Sequence, residues 1–208
     1  MAVAGVESAA GVGVFVIFAA LFIEMAGGGL YEKIRSMKKI STLSLSVLLV
    51  LLTVVWQTLS AQTVLFHEEF EGGVLPAGWT VVDADGDGYN WDASYLYQNA
   101  GSSHSGDGMI ASASWYSLPL TPDNWLISPA INLTVNSFLT FWVRAQDVNW
   151  PEEHYGVYIS TTGGASISDF TLLYEETLNA ESNVWSQKSV DLSNYSGQTI
   201  RIAFRHFN

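Results

Sequence analysis

The chain has 208 residues, no cysteine, and 8 Lys plus Arg against 20 Asp plus Glu, giving a formal net charge of -12. That balance excludes a nucleic-acid partner, which needs clustered cations against phosphate, and equally an anionic membrane surface, while calcium or a neutral or basic ligand is compatible with it. The missing cysteines exclude a disulfide framework and thiolate metal sites, and a charged fraction of 13% with 18 glycines and 8 tryptophans points to an all-β domain with many turns.

In chain order, the first feature is an apolar run at 11–23, "GVGVFVIFAALFI". A second begins after "MKK" at 37–39, where two lysines precede the apolar stretch "LSLSVLLVLLTVVW" (43–56) and the small residues of "TLSAQT". These are the three parts of a secretory signal, with cleavage expected after Ala61. Its apolar run is shorter than the ~20 residues a membrane-spanning helix needs. A signal works only at an N-terminus, so residues 1–36 are read as a start-site artefact, 37–61 as the signal peptide and 62–208 as the exported domain, which has no membrane segment of its own. The alternative for 11–23 is a membrane helix that anchors the protein.

From 64 onward short apolar runs alternate with turn clusters, the pattern of a β-sandwich or jelly roll. "FLTFWVRA" (138–145) is apolar on both alternations, as in a central strand covered on two faces. "HYGVYIST" (154–161) places Tyr155, Val157 and Ile159 on one side. "TIRIAFRHF" (199–207) places Ile200, Ile202 and Phe204 on one face and Arg201 and Arg205 on the other. Weaker strands are expected at 64–70, 79–82, 109–113, 125–128, 170–175 and 185–191, and no helix is expected.

The loop "TVVDADGDGYNW" holds the densest acidic cluster. Asp83, Asp85 and Asp87, relieved by Gly86 and Gly88, can turn several oxygens toward one point, as calcium's six to eight oxygen ligands require. Three bare carboxylates this close repel one another, and a cation relieves that cost. An EF-hand is excluded, because the twelfth position of such a loop falls on Ser94 and neither flank is helical. The motif alone leaves calcium and a plain polar turn both open. Catalysis is not expected. Glu152-Glu153 and Glu175-Glu176 are adjacent in strands and point to opposite faces, the histidines at 67, 104, 154 and 206 are scattered, and no nucleophile elbow or zinc-helix motif occurs.

Four blocks, "LPAGWTVVDADGDGYNW", "TPDNWLISPAINL", "LTFWVRAQDVNWPEEHYGVYISTTG" and "IRIAFRHFN", resemble in order and spacing the cleaved-adhesin domain family, the haemagglutinin/adhesin modules attached to gingipain proteases. The likeness runs from about Phe66 to the last residue. It implies a jelly-roll β-sandwich, a secreted or bacterial cell-surface location, attachment to host proteins or glycans, no catalysis, and structural calcium. By position it carries over Asp83, Asp85 and Asp87, the Asp123-Asn124 pair of the "PDN" turn, and Glu68 of the first strand as candidate calcium ligands. Family domains continue past "AFRHF" into a further strand with an L-D-D-V-like segment, whereas the sequence given stops at Asn208. It is therefore read as lacking that last strand, and as part of a longer multidomain protein.

Candidate ligand contacts are Trp150 in "QDVNWPEEHY" and Trp115 and Tyr116 in "SASWYSLPL". Exposed loop aromatics can stack on a sugar or anchor a protein interface; the alternative is that these rings cap the core. Trp79, Trp91, Trp125 and Trp142 are expected in the core. A second functional class stays open, a carbohydrate-binding accessory domain of a secreted hydrolase or protease encoded downstream.

Overall fold

The computed structural model describes residues 2–10, 63–94, 103–179, 181 and 184–207. The expected signal peptide and the apolar run at 11–23 lie outside them. Strands dominate, and short three-residue helical turns lie at Glu71–Gly73, Ile167–Asp169 and Ser193–Tyr195. The described residues hold thirteen strands: β1 Ala2–Ala10, β2 Thr63–Val64, β3 Thr80–Asp83, β4 Ile110–Ala111, β5 Trp115–Tyr116, β6 Leu118–Pro119, β7 Asp123–Ile127, β8 Ile131–Asn132, β9 Ser137–Arg144, β10 His154–Ser160, β11 Thr171–Thr177, β12 Ser186–Asp191 and β13 Thr199–Phe207.

They form two antiparallel sheets and a hairpin. One sheet runs β12-β9-β1-β2 with β4 also on β1, the other runs β11-β10-β13-β7-β3 with β8 on β13, and β5 pairs with β6. The long strands follow their alternation. In β9, Leu139, Phe141 and Val143 are buried; in β10, Tyr155, Val157 and Ile159; in β13, Ile200, Ile202 and Phe204. All of these belong to one hydrophobic cluster drawn from both sheets, so the two sheets enclose a shared core as a sandwich does. Phe141 sits edge-on to Phe204 with ring centroids 5.0 Å apart and edge-on to Tyr155 at 6.1 Å, stitching the layers together.

Four details differ from the sequence reading. The strand expected at 64–70 stops at Val64 because the chain turns: the Glu68 carboxylate accepts from Phe70 N at 2.8 Å, and Phe70 adopts a left-handed φ of 55°. Strand β9 is buried on its core face and only half-buried on the other. Accordingly Trp142 is not in the core but lies on that outer face, stacked on His104 at 3.8 Å. Trp79, Trp91 and Trp125 are buried as expected, although Trp125 belongs to a separate cluster with Ile127 and Ala203, on which Tyr158 and Phe170 pack. Finally, residues 2–10, placed outside the domain by the sequence reading, form an inner strand. Its backbone pairs with β9 on one side and with β2 and β4 on the other, with a register shift across Gly5.

Candidate functional site

Two groups of polar side chains stand out, one at the acidic loop and one beside a cleft. The acidic loop leaves the end of β3. Asp83 Oδ1 accepts from Gly86 N at 2.7 Å and its Oδ2 from Gly88 N at 2.9 Å, while Asp87 Oδ1 accepts from Tyr89 N at 2.8 Å. Gly86 and Gly88 both have left-handed φ angles, +75° and +86°, which lets the loop wrap around the Asp83 carboxylate. The backbone N–H of Gly88 and then that of Gly86 hold the Asp83 carboxyl below the usual carboxylate range. Asp85 is pushed up instead, by loss of hydration and by sharing a hydrogen bond with Asp83. One carboxylate oxygen from each of Asp83, Asp85 and Asp87 lies within 4.8 Å of the others. The cluster is thus preformed and carries a like-charge cost, as a divalent-cation loop does before it is filled.

Of the other residues carried over as candidate metal ligands, Glu68 and Asp123 have their carboxylates hydrogen-bonded within the fold, while Asn124 leaves its Oδ1 unpaired. Glu68 accepts from Phe70 N and, at 3.3 Å, from Trp79 Nε1, so it closes the turn before β3. Asp123 is the counter-ion of Arg205, whose Nε and Nη2 donate to its two oxygens at 2.7 and 2.8 Å, and Trp125 Nε1 donates to it at 2.9 Å. These bonds, the Arg205 pair first, hold the Asp123 carboxyl low. Arg205 also lies over the Trp125 and Phe207 rings, 5.0 and 4.2 Å from their centroids. Asn124 stands opposite Asp83 in the β3–β7 ladder but is fully buried; its Nδ2 donates to Ser112 Oγ at 3.2 Å and its Oδ1 has no hydrogen-bond partner.

The second group surrounds a cavity of about 680 Å³ between the β4–β6 region and the loop from β9 to β10, with Trp115, Pro119, Asp147, Trp150 and Glu153 among its lining residues. Trp115 and Trp150 are 64% and 78% exposed, which disposes of the core-capping alternative for both. Trp150 is set by a turn in which its N–H donates to Asp147 O at 3.3 Å and the Asp147 carboxylate accepts from Asn149 N at 2.8 Å. Tyr116, one residue along the hairpin from Trp115, is 60% exposed and packs instead on Tyr89 at 5.0 Å, tying the hairpin to the acidic loop.

Beneath the cleft runs a buried chain of hydrogen bonds that the sequence reading did not assemble. Asn124 donates to Ser112, Ser112 Oγ is 2.9 Å from His206 Nδ1, and His206 Nε2 is 2.9 Å from Glu153 Oε2. Ser114 Oγ donates to Glu153 Oε1 at 2.6 Å. Burial keeps His206 below its usual range despite the Glu153 hydrogen bond, so the imidazole is neutral. Burial pushes the Glu153 carboxyl up, the hydrogen bonds from His206 and Ser114 act against it, and the net shift is downward. Hydroxyl, imidazole and carboxylate in this order also describe an acyl-transfer nucleophile. Here Ser112 lines the cavity wall at 2% exposure, His206 is fully buried, and through His206 the chain holds Glu153 in place at the cleft. The sequence did contain the signal: His206 continues the core-facing alternation of Ile200, Ile202 and Phe204.

The family model described as Cleaved Adhesin Domain matches residues 63–208. "Hemagglutinin A" of Porphyromonas gingivalis is 37% identical over 75% of this chain, and "Gingipain R1" of the same organism is 40% identical over 70%. The matched regions span only 7% and 9% of those relatives, which are far longer proteins. Among solved structures, the K1 cleaved adhesin domain of Lys-gingipain from P. gingivalis W83 superimposes with a TM-score of 0.58 at 41% identity, covering 68% of this chain and 86% of that one. With a family match over residues 63–208, a superposable solved relative at 41% identity and curated relatives at 37% and 40% identity, the chain belongs to the cleaved adhesin domain family.

Proposed function

We propose that the chain is a non-catalytic adhesion module of a longer secreted or surface-held bacterial protein, and that it grips a host surface protein or glycan in the Trp115–Trp150 cleft. The observation that carries this reading is the pair of indole rings, 64% and 78% exposed, at a cavity of about 680 Å³. Large aromatics left in water at a concave site are the usual anchors of recognition surfaces. The name of one relative, Hemagglutinin A, supports attachment to cells as the activity.

The sandwich is read as a jelly roll, since the chain passes from β9 in one sheet to β10 and β11 in the other, then to β12 and back to β13. The Asp83–Asp85–Asp87 loop is read as a structural calcium site, with the three carboxylates as its side-chain ligands. Bound there, calcium would offset two of the cluster's three negative charges and fix the loop, leaving recognition to the cleft.

The test is adhesion of the full chain to erythrocytes, immobilised matrix proteins and a glycan array, with Trp115→Ala and Trp150→Ala as variants. Binding should fall at least tenfold in both, about 1.4 kcal/mol, with the melting temperature unchanged because both rings are exposed. Unaltered adhesion by the double variant would remove the cleft from the reading. The glycan array also addresses the carbohydrate-binding accessory module, which the same aromatic pair favours through stacking on sugar rings. Retention by glycans and not by matrix proteins would select it.

A further inference from the structure

The few basic residues of the domain are confined to one kind of place. Residues 63–208 hold four of them, Arg144, Lys188, Arg201 and Arg205. All four lie in strands: Arg144 closes β9, Lys188 is inside β12, and Arg201 and Arg205 are inside β13. The segments that connect the strands carry acids, among them Glu69, Asp85, Asp107, Asp147 and Glu152, and no lysine or arginine. Lysine and arginine ordinarily stand at exposed positions, so their exclusion from every connection between strands runs against the usual distribution.

An endopeptidase that cuts after lysine or arginine needs the basic side chain free to enter its specificity pocket and the flanking backbone free of other partners. Exposed loop tips offer both, and paired strands offer neither. Each head group here is also engaged. Lys188 Nζ donates to Glu176 Oε1 at 2.7 Å, and Arg205 is held by Asp123 through two N–H donations. Arg201 donates to the carbonyl oxygens of Ser128 and Gly163 at 2.8 and 3.3 Å, and Arg144 lies over the Trp185 ring, 5.5 Å from its centroid. The residues that follow three of the four, Ala145, Ile202 and His206, are 0%, 1% and 0% exposed, so the bonds to be cut are themselves enclosed. Lys188 is the least sheltered, because β12 ends its sheet. Cleavage at any of the four requires the strand to leave its sheet first, and its rate then follows the population of the opened state. Independently of what the cleft binds, we infer that the domain is shaped to persist beside an endopeptidase that cuts after lysine or arginine, its basic residues being withheld from the loops such an enzyme can open.

The test is digestion of the full chain by trypsin beside Val74→Lys and Val148→Lys, which put a lysine at positions 67% and 53% exposed in two different loops. The unchanged chain is digested in parallel by a glutamate-specific endopeptidase, and fragments from residues 63–208 are read by mass. Trypsin is expected to leave that part of the unchanged chain whole and to cut each variant at its new lysine about a hundredfold faster than at any of the four native sites. The glutamate-specific enzyme should nick the unchanged chain in its loops. Matching melting curves confirm that the variants fold, and with added urea the native lysine and arginine bonds should become cleavable in step with unfolding. Trypsin cutting the unchanged chain within 63–208 as fast as it cuts the variants overturns the inference. So does trypsin sparing both variants, or the glutamate-specific enzyme sparing the unchanged chain, because the loops would then resist any peptidase and the placement of the basic residues would protect nothing.

Discussion

Asp123 shows how one carboxylate's partners decide its role. Three N–H donors from Arg205 and Trp125 converge on it, so Asp123→Ala strips a half-buried guanidinium of its counter-ion. Hydrogen bonds to charged groups contribute about 1.5–3 kcal/mol each, and the variant should lose roughly that much in a urea titration, without changing any response to calcium. Glu153 and His206 predict a dependence on acid. An unfolded chain protonates a histidine near 6.5 and a glutamate near 4.3, whereas in the fold both groups take up a proton only at lower pH. The unfolded state therefore binds more protons in each window, and stability falls as pH drops below about 6.5 and again below about 4.3. Urea midpoints at pH 8, 6 and 4 should decrease in that order. In Glu153→Gln the drop below pH 4.3 should shrink, at a cost of about 1–2 kcal/mol at neutral pH from the weakened clamp.

Among the elements, the long strands were legible because burial on one face imposes a period of two, which the large apolar side chains of β10 and β13 follow although Gly156, Ser160 and Ala203 are buried off it. Two-residue strands such as β5, β6 and β8 carry no period and were missed. So was the inner position of β1, which depends on backbone pairing with β9 and not on its own composition. The cleft was half legible. Trp115 and Trp150 could be picked out as aromatics in polar surroundings, but the pairing of Glu153 with His206 joins positions 53 residues apart and exists only once β13 lies beside β10. Two substitutions test the element packing. Phe204→Ala opens the centre of the core where Phe141 meets it edge-on, and should cost about 3–5 kcal/mol. Gly108→Ala would set a Cβ 2.5 Å from the Glu69 carbonyl oxygen and 2.6 Å from Glu71 N. Backbone cannot yield there as a side chain tip can, so the segment 103–108, held by two N–H donations to Glu71 Oε1, should detach. Faster amide exchange at residues 107 and 108 would report it.

For the whole molecule the proposed calcium loop makes a thermal prediction. A ligand that binds only the folded state at a hundredfold excess over its Kd stabilises by about 2.7 kcal/mol. For a domain of this size that corresponds to roughly 5–10 °C in Tm. Chelation should lower the melting temperature of the full chain by about that amount, and Asp85→Ala should abolish the difference; superimposable curves with and without calcium would show that the loop holds no ion. The placement of β13 has a further consequence. This strand is hydrogen-bonded along six residue pairs to β10 and five to β7, so a tether pulling at Phe207 loads two ladders at once, in shear, instead of peeling an edge rung by rung. Force applied there would be borne by the middle of the sheet, and in a pulling experiment the module should resist more than when the same load is applied at an edge strand such as β3.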